Sequence, residues 1–366
     1  MEFTIHHQVL LSAFGLAVIM GAVANKTNFC TMGAVSDWVN MDDTGRLRAW
    51  LLAIAVALLG VTILEATGKA VIGTSTLPPY RTANFAWLRY LLGGLMFGVG
   101  MVLASGCGNK TLVRIGGGNL KSLVVFAIAG ATAYAMLWTD FYDAVFGSMV
   151  AATSINLAPH GFNSQALGDL LGVGNTFTGA VLALALIGYA FASRDFRANK
   201  DNLLGGIVIG LVIVGGWYLT GSEMGTQWKE YADFADTKPL RVETQSYTFI
   251  SAMGDAVRYL MHPTDTSLVN FGIMALAGVI VGSLLWSLLS RSFRIEWFAS
   301  TGDFGNHAIG AVLMGIGGVL SMGCTVGQAI TGVSTLALGS ILTFAAIVAG
   351  AAAMMKYQYW QMMREV

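Results

Sequence analysis

Charge is what this sequence has least of. Asp, Glu, Lys and Arg make up 11% of its 366 residues, against about 25% in an ordinary soluble domain. That deficit excludes a surface meant mainly for water and fits one meant for lipid. The net charge is +0, which argues against a polyanion such as nucleic acid as the main partner. Cysteine is nearly absent: Cys30, Cys107 and Cys324 form no CxxC pair and no disulfide framework. None of the five histidines lies near a cysteine in sequence, so metal-ligand spacing is missing as well and no cofactor is expected. The opening residues 1–7 lack the basic segment of a signal peptide, so the first apolar run is expected to be retained.

What is abundant is apolar length. Hydrophobic residues are 55% of the chain, mean hydropathy is +0.66, and glycine (46) far outnumbers proline (5). Glycine-rich apolar segments pack closely as transmembrane helices. Runs at roughly 8–25, 48–72, 87–105, 120–147, 175–192, 203–220, 268–289, 307–322 and 338–356 predict about nine spans, most of them within the length a bilayer requires. Three stretches, about 29–40, 108–117 and 325–333, are too short to cross, and each follows a cysteine. The fold expected is therefore an all-α membrane protein with short broken or re-entrant helices. With the N-terminus outside, 13 of the 20 Lys and Arg residues fall on the inner side and 7 on the outer. This favours an N-out, C-in multi-pass protein of the inner membrane.

The chain also repeats itself. Gly93, Gly98, Gly100, Val102, Leu103, Gly106 and Cys107 recur 217 positions later as Gly310, Gly315, Gly317, Val319, Leu320, Gly323 and Cys324. Phe14-Gly15 with Gly21 is echoed by Phe271-Gly272 with Gly278. The predicted spans make the halves inverted, a transporter arrangement that builds a central site between repeats. Residues 1–147 then form a first repeat with Cys30 and Cys107, 148–267 a connecting part with long outer loops, and 268–366 a second repeat with Cys324, all within one membrane domain.

Each cysteine occupies the same kind of string: Asn28-Phe29-Cys30-Thr31, Ser105-Gly106-Cys107-Gly108-Asn109-Lys110 and Met322-Gly323-Cys324-Thr325. Thr31, Asn109 and Thr325 are expected to cap the short helices that follow. The N-terminal end of a broken helix presents free N–H groups and a positive partial charge, which favour an anion. A neutral thiol adds a weak donor with a soft, polarisable sulfur, suited to an anion with a terminal sulfur. Lys110 and Arg114 serve either to attract that anion or to anchor the inner face. Gln328 offers an amide to the path, and Glu65 inside a span is read as a structural ion pair with Lys69.

At these strings, and at Asn28–Asp37, Gly106–Arg114 and Gly323–Gln328 as a whole, the sequence resembles the YeeE/YedE family of sulfur-compound transporters. The resemblance covers both halves and is weakest at about 140–174 and 220–266. It implies an hourglass-like helical bundle with an internal pseudo-twofold. It further implies uptake of thiosulfate past Cys30, Cys107 and Cys324 by S–H hydrogen bonds without covalent chemistry, with Cys107 the most indispensable. Some members resemble handlers of selenium compounds. A competing reading is a membrane sulfurtransferase passing a persulfide. A soluble rhodanese or small sulfur-carrier protein on the cytoplasmic side suits either.

Overall fold

The computed structural model describes residues 4–235 and 237–364; the first three residues of the opening stretch lie outside it. Helix follows helix, in the order α1 (Ile5–Lys26), α2 (Thr31–Met41), α3 (Gly45–Ala66), α4 (Trp87–Leu103), α5 (Gly108–Gly116), α6 (Leu120–Trp138), α7 (Ser148–Ala152) and α8 (Leu167–Leu170). The second part continues with α9 (Asn175–Phe191), α10 (Arg194–Ala198), α11 (Lys200–Gly221), α12 (Glu223–Phe234), α13 (Ile250–Met261), α14 (Phe271–Leu289), α15 (Thr301–Leu320) and α16 (Leu338–Arg364). A wide-turned helical segment, Val326–Gly332, lies between α15 and α16. Strand content is confined to two-residue and three-residue pairings, as expected where lipid leaves backbone groups no partner but their own helix.

Seven helical units among the described residues are long and apolar enough to span a bilayer. Two of the seven, Ile5–Met41 and Trp87–Gly116, are each broken once, at Cys30 and at Cys107. The sequence reading of nine spans differs at two places. The run at 175–192 gives a 17-residue apolar helix, α9, at the short limit for a crossing, and the run at 307–322 gives α15, which is not among the seven. The interval 221–267, expected as a long outer connection, instead holds α12 and α13.

Helices α1 and α14 lie side by side, α4 packs between α15 and α16, and α3 packs along α11 and α9. Glycines matched in sequence meet where α4 crosses α15. A Cβ at Gly317 would stand 2.6 Å from the Gly93 carbonyl oxygen, and one at Gly310 would stand 2.6 Å from that of Gly100. Exchanging position 93 with 310 and 100 with 317 maps one contact onto the other. The glycines matched in sequence are therefore the ones that let the two backbones touch.

Candidate functional site

The three cysteines stand at three copies of one turn. After α1, α4 and α15 the chain enters the left-handed region at Asn28 (φ 51), Ser105 (φ 57) and Met322 (φ 62), each two residues before a cysteine. The next N–H closes the turn on the carbonyl five residues back: Phe29 on Ala24 at 3.1 Å, Gly106 on Met101 at 2.8 Å and Gly323 on Gly318 at 2.7 Å. This is the Schellman ending of a helix, here with side-chain-bearing residues where glycine is usual. Holding such a residue left-handed costs roughly 1–2 kcal/mol, a strain found where a structure must aim a neighbouring group.

The following residue is the cysteine, and it starts the next helix. Cys30 and Cys107, not Thr31 and Asn109, are the N-caps of α2 and α5. The Cys30 sulfur accepts from Gly33 N–H at 3.5 Å, and the Cys324 sulfur accepts from Gly327 N–H at 3.5 Å. Thr325 makes no capping bond of its own. A cysteine in the cap position has a reason: the sulfur sits at the positive end of the helix, level with the free N–H groups of the first turn.

Side chains tie these turns together. Lys110 Nζ donates to Asn28 Oδ1 at 3.3 Å, and Arg114 Nη1 donates to the Ser105 carbonyl at 2.5 Å. Gln328 Nε2 donates to the Ser321 carbonyl, beside the third turn. Tyr80, whose phenol is held well above its usual range by burial, donates to the Gly327 carbonyl at 2.7 Å. Gly106, Gly108 and Gly323 fill the remaining positions beside the sulfurs, where a side chain would press on Lys110, Ile250 and Gln328 respectively.

The structure brings Cys30 next to Cys107. Their thiols lie close enough to interact, as do the Cys107 thiol and the Thr325 hydroxyl, although neither pair meets good hydrogen-bond geometry. All three cysteines are buried and free. Around them, Thr31 Oγ1, both amide atoms of Asn109, and Gln328 Oε1 are buried without a partner. Leaving such groups unpaired costs about 1–3 kcal/mol each, so a concentration of them at one place marks a surface made for a polar visitor.

Two cavities flank the cysteines. One, of about 380 Å³, is bordered by Met322 and Gly323 and by Asn270 and Phe271 at the start of α14. The other, of about 540 Å³, is bordered by Asn28, Lys110 and Arg114 and by Trp286 and Ser287 near the end of α14. Phe271 and Ser287 are about 24 Å apart along a helix rising 1.5 Å per residue, so the cavities open toward opposite faces. The second carries Lys26, Lys110, Arg114 and Arg294 against the single carboxylate of Glu296. In the first, Arg241 is paired with Asp255 at 2.7 Å, and Arg89 and Asp143 are the remaining charges.

A family model described as sulphur transport matches residues 26–353. The chain belongs to that family. Two curated relatives match across nearly their whole length. The thiosulfate transporter TsuA of Escherichia coli (strain K12) is 25% identical over 335 residues, covering 87% of this chain and 86% of the relative. The thiosulfate transporter TsuA of Spirochaeta thermophila is 22% identical over 330 residues, covering 88% and 91%. A sulphur-transport protein is a multi-pass transporter and not an enzyme, which sets the persulfide-transferring reading aside.

Two residues at the centre carried no signal in sequence. Thr248 and Phe249 belong to the unrecognised stretch 220–266, yet Thr248 borders the first cavity and the Phe249 backbone reaches the Cys324 sulfur. Glu65 is a structural partner as expected, but its cation is the buried Arg81, at 2.5 and 2.9 Å, and not Lys69. For this member of the sulphur-transport family, blocking free thiols under denaturing conditions is expected to label all three cysteines. A stoichiometric disulfide, above all between Cys30 and Cys107, would contradict a path lined by free thiols.

Proposed function

We propose that this protein carries thiosulfate inward across the cytoplasmic membrane, with its N-terminus outside and its C-terminus inside. The anion passes from the 380 Å³ cavity to the 540 Å³ cavity by way of Cys324, Cys107 and Cys30. The observation that carries the reading is the grouping of three cysteines at helix starts and their unpartnered polar neighbours between two oppositely facing cavities. Chemistry supports the choice of ion. Thiosulfate is a dianion, so helix N-termini favour it, and its terminal sulfur is soft, so a thiol donor suits that end. The four cations of the second cavity would then hold the ion on the cytoplasmic side until it leaves. Free thiols suffice for this passage, and no bond to sulfur is made or broken. A soluble sulfur-carrier or rhodanese-like protein consuming thiosulfate on arrival is compatible with this direction of transport. Both relatives are thiosulfate transporters by name, in line with that choice.

The test is uptake of labelled thiosulfate by cells or vesicles, with sulfate, sulfite and selenite as competitors. Sulfate has the same charge without the terminal sulfur, and sites that read a particular hydrogen bond reject analogues lacking it by large factors. Unlabelled thiosulfate should therefore compete at least tenfold better than sulfate. Equal competition would mean that the cysteines do not select the ion.

A further inference from the structure

The threonine at position 248 has a hydroxyl with no hydrogen-bond partner among the described residues. Its Oγ1 is buried and unpartnered, although the residue borders the 380 Å³ cavity. It also touches the third cysteine helix: a Cβ at Gly327 would stand 2.4 Å from Thr248 Oγ1 and 2.9 Å from its Cβ. Gly327 is the residue whose N–H bonds the Cys324 sulfur. The hydroxyl therefore lies over the first turn of that helix, at the junction of cavity and cysteine. The next residue, Gln328, is fully buried with Oε1 unpartnered. The backbone on both sides of Thr248 is fixed. Tyr247 is anchored through its hydroxyl to the Ala13 carbonyl at 2.8 Å and through its own carbonyl to Thr331 at 2.7 Å, and Phe249 and Ile250 are fully buried. A hydroxyl carried on so fixed a backbone and left unbonded is placed for a ligand, since a buried donor without a partner is otherwise only a cost.

We infer that Thr248 is a substrate-binding residue that takes the oxygen-bearing end of the anion and so turns its terminal sulfur toward Cys324. The inference rests on the transport reading above and adds the orientation of the ion. A hydroxyl is a hard donor matched to sulfonate oxygens, whereas the thiol beside it is a soft one. An ion with unlike ends, offered unlike donors, enters in one direction.

Thr248→Val keeps the shape and removes the hydroxyl; Thr248→Ser keeps the hydroxyl and removes a methyl. In thiosulfate uptake at matched membrane levels, Thr248→Val should raise KM about tenfold or more, as befits a lost hydrogen bond to a charged ligand, with Vmax within about twofold. Thr248→Ser should return KM to near the parent value. The same order should hold for the thiosulfate concentration that raises the melting temperature of the purified protein, a readout that needs no transport. If Thr248→Val fails to insert, Thr248→Ala takes its place in both assays. A Val or Ala variant with unchanged KM and unchanged thermal response would overturn the assignment, as would a Ser variant as impaired as Val. Absence of uptake by the parent protein while thiosulfate still stabilises it in a Thr248-dependent way would count against transport and leave this assignment standing.

Discussion

Cys107→Ala is expected to abolish thiosulfate uptake, and Cys107→Ser is expected to lower it at least tenfold. Cys107 is the link: its thiol lies near that of Cys30 and also near the hydroxyl of Thr325, the residue next to Cys324. Alanine removes the donor and the sulfur together. Serine restores a donor of similar shape but substitutes a hard, strongly hydrated oxygen for the soft sulfur, so it separates the two properties. Cys107 is fully buried and either replacement is smaller than a cysteine, so both variants should still fold and insert. Cys30→Ala and Cys324→Ala, each at one end of the series, should reduce uptake more gradually. A Cys107→Ser protein that transports at the parent rate would show that sulfur at this position is dispensable.

The second large effect concerns the scaffold. Gly317→Val should cost roughly 3 kcal/mol, the upper part of the range for inserting atoms into a close-packed interior. Its Cβ alone would stand 2.6 Å from both the Gly93 carbonyl oxygen and the Phe97 nitrogen, which are backbone atoms that cannot turn aside. Separating α4 from α15 would also part the turns at Ser105 and Met322, and with them Cys107 and Cys324. The expected result is a sharp fall in the heat stability of the solubilised protein. By contrast, Gly305→Ala on the same helix, where nothing lies within 4 Å of the added Cβ, should be neutral. Equal stability of the two variants would mean that the glycine contacts do not set the helix spacing.

Much of this arrangement was legible in the residues. The apolar runs marked the helices because lipid contact requires them, and the strings around Cys30, Cys107 and Cys324 marked the breaks because each pairs a helix end with a helix start. Gly93, Gly100, Gly310 and Gly317, matched in sequence, are the glycines where α4 meets α15, a contact that the match alone did not specify. The cap assignment was missed by one residue at Cys30 and two at Cys107, since hydroxyl and amide side chains are the usual caps and sulfur is not. The meeting of Cys30 with Cys107 depends on how α1 packs against α5, and no spacing along the chain encodes that. Thr248 was hidden for a related reason. It lies between α12 and α13 in a stretch whose polar residues resemble a surface loop, and only burial against the Val326–Gly332 segment distinguishes it. Arg81 reached Glu65 from beyond the next turn, where pairing by sequence looked only four residues ahead.

The central claim is that this chain alone moves thiosulfate across a bilayer through its cysteine centre. The measurement that meets it most directly is uptake of labelled thiosulfate into liposomes holding only the purified protein, beside protein-free liposomes and liposomes holding Cys107→Ser. Saturable uptake by the parent protein, blocked by excess unlabelled thiosulfate but little affected by equal sulfate, and lost with Cys107→Ser, is the predicted result. Uptake no greater than in protein-free liposomes, or parent and Cys107→Ser proteins transporting alike, would contradict it.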